Sequence, residues 1–327
     1  MNWLTWRQYR KQAVAGYGGL AVIGAFLAIT GIAILQAYND SGLVRCLNIS
    51  NPDCGELTRN FTHQYNSLQF FLLFVMLLPV LVGMFWGAPM VARELEHGTH
   101  RLAWTQSVTR GRWIWSKLAI VGGSVLLFSS ILAALINWWI TPFLKTSWGR
   151  FDPGLFDMLG IVPVAYSLFA FALGVAFGTL TRKTLPAIFL TLAGFAAVRI
   201  PIAAFARKHF MAAKEIVFGF NADGPVHVRG DWILSMQTID ASGRQIGEFG
   251  GLDFNTITTR CPDLIGSFGE PTKSAFFECA NRIGVRSIET YHPADRFWTF
   301  QMIEAAIFLA LTGLLVAFIV RRVKRLS

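Results

Sequence analysis

The sequence predicts an all-α polytopic membrane protein, six transmembrane helices with a small α/β extracytoplasmic domain between the fifth and the sixth. Three observations carry this reading. The 327 residues are 54% hydrophobic with a mean hydropathy of +0.47, more apolar surface than one soluble core can hide. Six apolar runs, about 17–37, 68–90, 116–138, 157–180, 184–204 and 299–320, each reach the roughly twenty residues needed to cross the hydrocarbon. Between the last two runs, residues 205–297 turn to a soluble composition with eleven acidic and ten basic side chains. Lipid cannot satisfy open backbone groups, so the runs must be helices, and the alternating pattern of an outer-membrane barrel is absent.

Taken in order, Trp3, Trp6 and Tyr9 alternate with Arg7, Arg10 and Lys11 ahead of the first run, which suits an interfacial amphipathic helix over 1–16. The first run is too long for a signal peptide and Leu35-Gln-Ala-Tyr-Asn39 supplies no small-x-small cleavage site, so it stays as a span. The loop 38–67 is polar and holds glycosylation-type triplets at Asn39, Asn48 and Asn60, which by themselves add little. Trp138, Trp139 and Trp148 stand where an aromatic belt would. Thr181-Arg182-Lys183-Thr184 leaves room only for a tight hairpin between spans four and five. Gly83 with Gly87 and Gly174 with Gly178 are small-xxx-small steps that permit close helix contact, and Pro79, Pro89 and Pro163 mark kinks or ends. In 205–297, Trp232 to Asp240 reads as a strand with Arg244 onward as its partner, and 263–286 as partly helical. The divisions are therefore 1–16, the spans and loops of 17–204, the domain 205–297, and a last span with basic tail over 298–327.

Charge sets the orientation. With both termini inside, the cytoplasmic pieces hold fourteen basic residues against only Glu94 and Glu96, the bias expected of a cytoplasmic face. A pI of 9.8 would suggest nucleic acid in a soluble chain. Here positive-inside loops beside anionic membrane lipid absorb the whole excess, and nucleic acid is excluded as a partner. Localisation in the cell membrane follows. The four cysteines fall as Cys46 with Cys54 and Cys261 with Cys279 in loops assigned outside, so two local disulfides are the economical reading, free or metal-bound thiols the alternative.

Sites of chemistry are few. The chain has no G-x-x-x-x-G-K-S/T, and Gly269-Glu-Pro-Thr-Lys273-Ser has the wrong spacing; no cofactor is expected in this chain, so it is not read as an enzyme. Glu94, His97 and His100 stand at i, i+3 and i+6 and invite a zinc reading, yet they are not H-E-x-x-H and Gly98 interrupts the helix. Arg199 and Glu304 are the ionisable residues inside the spans. One lies late in an outward-running helix and the other early in an inward-running one, so they are expected to form a buried pair near the outer leaflet.

Between Trp86 and Lys117 lies a polar, basic stretch clamped between two apolar runs, with a lead-in Val-Ala-Arg93-Glu94-Leu-Glu96 and a turn at Gly98-Thr99. The acidic-Gly-Thr segment Glu94 to Thr99, the Thr109-Arg110 step and Lys117 resemble the loop after the second helix of type-2 ABC exporter permeases, and Pro293 to Glu304 is similar to actinobacterial members. The resemblance implies a cytoplasmic coupling loop over 91–115 in which Arg93, Glu94, Glu96, Gly98, Thr99, Arg101 and Arg110 engage a separate ABC ATPase subunit. It implies ATP and Mg bound in that partner, two permease copies or a homologous pair forming the path as a dimer, and the second and fifth spans lining it. The long insertion before the last span departs from the family. A secondary carrier, or a membrane-anchored sensor acting through its outer domain, are the alternatives; the first would need more ionisable residues in the spans, the second needs no six-span anchor.

Overall fold

The computed structural model describes residues 2–48, 54–65, 68–98, 109–146, 148–219, 230–248, 259–261 and 273–325. Among the described residues six helices are long and apolar enough to cross a membrane: Tyr9–Asp40, Phe70–Glu96, Arg110–Thr146, Val162–Thr181, Thr184–His209 and Ala294–Lys324, called here the first to sixth spans. The chain divides into two compact units, residues 1–207 with 298–327, and residues 208–297.

The spans are not equally enclosed. In the fourth, 72% of the apolar window is buried, against 11% in the fifth. The reason is readable in the residues that meet. Gly83 and Gly87 of the second span lie against Ala170, Phe171 and Gly174 of the fourth, and a Cβ added at Gly178 would come 2.7 Å from the carbonyl oxygen of Ala88. The two glycine steps thus face each other, and backbone approaches backbone where any side chain would separate the helices. Here the second span widens into a π-helical turn, Gly83–Gly87, four residues beyond Pro79, whose ring cannot donate a helical hydrogen bond.

The N-terminal region corrects one expectation. No separate interfacial helix forms over 1–16; a single helix runs Asn2–Asp40, since nothing between Lys11 and Tyr17 breaks it. Tyr9, expected at the headgroups, is buried, bonded to Ser124 Oγ at 2.9 Å and packed edge-on against Trp86. Tyr17 reaches the same serine, its hydroxyl 3.0 Å from both Ser124 O and Oγ. The two tyrosines fasten the first span to the third. After the first span, short helices Leu43–Asn48 and Cys54–Gln64 are joined by the Cys46–Cys54 disulfide.

The second unit is built on a four-stranded antiparallel sheet of β1 (Lys214–Gly219), β2 (Trp232–Ile239), β3 (Gln245–Glu248) and β4 (Arg286–His292), in the order β1-β4-β2-β3. The β2–β3 hairpin matches the sequence expectation; β1 and β4, the latter pairing with both β1 and β2, were not anticipated. The hairpin turn is closed by Asp240, whose carboxylate accepts from Ser242 and Arg244 and is held down at about 2 by the Ser242 hydroxyl and the Arg244 amide. A helix Lys273–Arg282 is tied to Cys261 by the second expected disulfide, Cys261–Cys279, around which Ala280, Val285 and Ile246 pack. His292 lies at the end of β4, its Nε2 3.0 Å from the Lys208 carbonyl and its Nδ1 3.3 Å from Arg296 Nη1. With the proton on Nε2 the ring donates to the carbonyl and accepts from the guanidinium, so burial, opposed by that carbonyl bond, holds the imidazole below its ordinary value.

Candidate functional site

Two polar clusters lie in the membrane unit, and the fifth span connects them. Its first residue, Thr184, belongs to one and Arg207 to the other, 23 residues apart, a rise of about 35 Å along the helix. They therefore sit at opposite ends of the bundle, on a scale that matches the bilayer's hydrocarbon core.

The first cluster is the root of the polar stretch after the second span. The span ends at Glu96 with its last turn reading Arg93-Glu94-Leu95-Glu96. Glu94 Oε1 accepts from Lys117 Nζ of the third span at 2.6 Å, and the two side chains are 12% and 5% exposed. A lysine this enclosed also lies over the Trp113 ring at 5.2 Å, where the cation adds attraction to the ring face. Glu96 Oε2 accepts from the backbone N–H and the hydroxyl of Thr184, at 3.0 and 2.9 Å. It thereby occupies the unpaired amide at the start of the fifth span, where a carboxylate also meets the positive end of the helix dipole. Between the fourth and fifth spans, Arg182 adopts a left-handed conformation with φ 55° and closes the short hairpin. Both carboxylates that the sequence offered to a partner are thus bonded within the chain. Gly98 sits at φ +69°, ending the helix, and Arg110 begins the third span. Arg93 is exposed and makes no side-chain hydrogen bond or ion pair among the described residues. His97 Nδ1 lies 2.8 Å from the Arg93 carbonyl; Thr99, His100 and Arg101 lie outside the described residues.

The second cluster revises the expected Arg199–Glu304 pair. Both residues are in one network, but each has another partner. Arg199 Nη2 donates to Asp157 Oδ2 at 2.9 Å, while Glu304 takes a bidentate bond from Arg207, Nε to Oε2 and Nη2 to Oε1, each 2.8 Å. Arg207 Nη2 also donates to Asp157 Oδ1, joining the two halves. The buried Tyr166 hydroxyl stands 3.0 Å from Asp157 Oδ1, is bonded to Glu304 Oε1, and lies 3.3 Å from Arg207 Nη2. Two guanidinium groups and two carboxylates balance, which is the condition for tolerating so many charges out of water. Below them Gln301 ties the sixth span to the turn before the fourth: its Oε1 accepts from the amides of Ile161 and Val162 at 3.1 Å, and its Nε2 donates to Phe156 O at 2.9 Å.

Sequence reasoning missed both: Asp157 stood at the very start of the expected fourth run, 157–180, and Arg207 in the outer domain 205–297. Asp157 is carried into the bundle by the compact turns of 150–161, where Phe151, Leu155, Phe156 and Leu159 are buried; a lone carboxylate inside Leu155-Phe156-Asp157-Met158-Leu159 was the available signal. Arg207 depends on a second π-helical turn, Ile202–Ala206. Eight residues of regular helix would place Arg207 about 80° from Arg199, but a wide turn absorbs about one residue, so the two act as if two full turns apart and share a face. Pro201, which cannot donate to the helix, opens the turn. Arg207 then stacks over Phe156 at 4.2 Å, and Arg199 lies over Tyr166 at 5.1 Å.

The fold is thus a multi-pass bundle whose second span is seamed to its fourth, with a polar stretch rooted on three spans. Residues 17–207 match the family described as ABC-2 membrane transporter related, and the chain belongs to that family. Its members are membrane subunits that are not themselves the ATPase. Comparison with curated proteins and with solved structures finds no match.

Proposed function

We propose that the chain is the permease of an ATP-driven exporter, working as a pair with separate ATPase subunits that bind ATP and Mg, and that residues 91–115 are the lever those subunits push. One observation carries this reading: the root of the stretch is bonded to the third span through Glu94–Lys117 and to the fifth through Glu96–Thr184. A displacement there moves three helices as a body, the kind of rigid-element transmission that switching proteins use. The lever's contact with the ATPase then falls to exposed groups such as Arg112 rather than to its carboxylates. The test is substrate-stimulated ATP hydrolysis by the reconstituted pair. Glu94→Ala and Glu96→Gln are expected to leave basal hydrolysis and lose its stimulation; full stimulation and export in both would count against the lever.

The orientation proposed is cytoplasmic for 93–112 and outside for 207–296, on the charge bias of the flanking loops. Single-cysteine labelling of intact cells tests it, with a probe at Ser242 modified and one at Thr105 spared. An ion-coupled carrier draws some support from the ionisable cluster. That cluster is already neutral as bonded, however, each carboxylate held by arginine, and it offers no unpaired carboxylate for a proton to occupy. Transport that continues with the ATPase absent and follows the proton gradient would establish the carrier instead.

A further inference from the structure

A cavity of about 550 Å³ opens between the first, second and fifth spans, a volume within the range of small-ligand sites. Its walls are apolar and small, with Gly16, Gly19 and Ile23 of the first span facing Leu78 and Trp86 of the second. Gln12, Gly16, Gly19 and Ile23 follow one another at helical spacing, so the groove runs lengthwise along the helix. Along the first span the lining runs from Gln12 to Ile23, about 16 Å of rise, and along the second from Phe74 to Arg93, about 28 Å. Only one end is polar: Gln12, Arg93 and Thr184 stand at the mouth. Lys11 and Lys183 adjoin two of them in sequence. Arg93 is the guanidinium there without a partner among the described residues.

We propose that this groove binds one anionic phospholipid, its acyl chain lying between the first and second spans and its phosphate at Arg93, beside the root of the lever. A groove apolar along its length and cationic at one mouth has the shape and charge of a lipid monomer. Anionic lipid is enriched in the cytoplasmic leaflet, so the choice of leaflet rests on the orientation proposed above, while the binding itself does not.

The full chain, purified without any ATPase, is extracted into nanodiscs of mixed phosphatidylglycerol and phosphatidylcholine of identical acyl chains, released into detergent, and the retained lipid is counted by native mass spectrometry. The wild type is expected to keep one phosphatidylglycerol. Arg93→Gln should lower the preference for phosphatidylglycerol about fivefold, the effect of one basic residue near a membrane surface. Gly19→Phe should abolish retention of both lipids, because an added Cβ at Gly19 meets nothing within 4 Å and the ring can fill the groove without disturbing the fold. Soluble glycerol phosphate should fail to displace the lipid. Unchanged lipid counts in Gly19→Phe, unchanged preference in Arg93→Gln, displacement by glycerol phosphate alone, or loss of a dimer rather than of lipid in Gly19→Phe would each overturn the proposal. Because no ATPase is present, these outcomes are independent of whether the lever couples to one.

Discussion

The two ends of the bundle use charge differently. At the Arg207 end, four ionisable side chains and a tyrosine lie in one enclosed network drawn from the turn before the fourth span and from the fourth, fifth and sixth spans, with Glu304 fully buried. At the Glu94 end, one enclosed pair and one exposed cap leave Arg93 unspent. A closed, balanced network resists opening, since removing any member strands a charge in a medium that cannot solvate it. A partly open cluster can exchange partners. The first end suits holding and the second suits the motion that the proposed lever requires, with the glycine seam between the second and fourth spans joining them.

The largest effect should come from the closed end. Arg207→Ala or Glu304→Ala leaves the partner charge buried and should cost about 3–5 kcal/mol, read as loss of folded yield and a fallen thermal midpoint. The observed partners also determine which double variant helps. Exchanging Arg199→Glu with Glu304→Arg would set a new carboxylate against Asp157 and should not recover yield. Asp157→Asn with Arg199→Gln removes a charge of each sign and should lose less than the two single changes added together. Additive losses would show that the network does not act as a unit.

Next comes the enclosed pair at the other end. Glu94→Ala strands Lys117 and should cost about 2–3 kcal/mol, below a wholly buried pair because Glu94 retains some solvent, and Glu94→Gln with Lys117→Met should restore the midpoint without restoring coupled ATP hydrolysis. Recovery of both would reduce the pair to a structural tie. The seam follows: Gly174→Leu drives a side chain into the Gly83 and Ala88 backbone and should cost about 1–3 kcal/mol or more, with Gly123→Leu, where an added Cβ meets nothing within 4 Å, as the tolerated control. Glu96→Gln, at a solvent-exposed cap, should barely move the midpoint while uncoupling export.

The smallest effect separates both ends from the second unit. His292 is held below its ordinary value by burial, so in acid the unfolded chain takes up a proton before the folded one does. Stability of residues 208–297 should be complete above about pH 6.5, the unfolded value, and fall as pH drops below it toward the lower folded value. Thermal melts of wild type and His292→Gln from pH 7.5 to 5 should converge at the acid end; parallel curves would remove His292 as the cause.

Much of this architecture was legible in the sequence because the controlling quantities are local. A span is set by the hydropathy of consecutive residues, a disulfide between Cys46 and Cys54 by eight residues of loop, and a close helix contact by glycines four apart. The β2–β3 hairpin was visible for the same reason. What only the tertiary structure decided depends on residues distant in the chain. Tyr9 is enclosed because Ser124 and Trp86 are there to receive it. Glu94 turned inward to Lys117 instead of outward to a partner. Asp157, at the edge of an expected span, and Arg207, placed in the outer domain, became the centre of a buried site because the hydrophobic turns of 150–161 and the wide turn after Pro201 carried them in, where Tyr166 and Glu304 supplied what water no longer could. Hydropathy records what a side chain prefers on average, whereas a buried charge is stabilised by particular partners 50 to 97 residues away, and no local pattern names them.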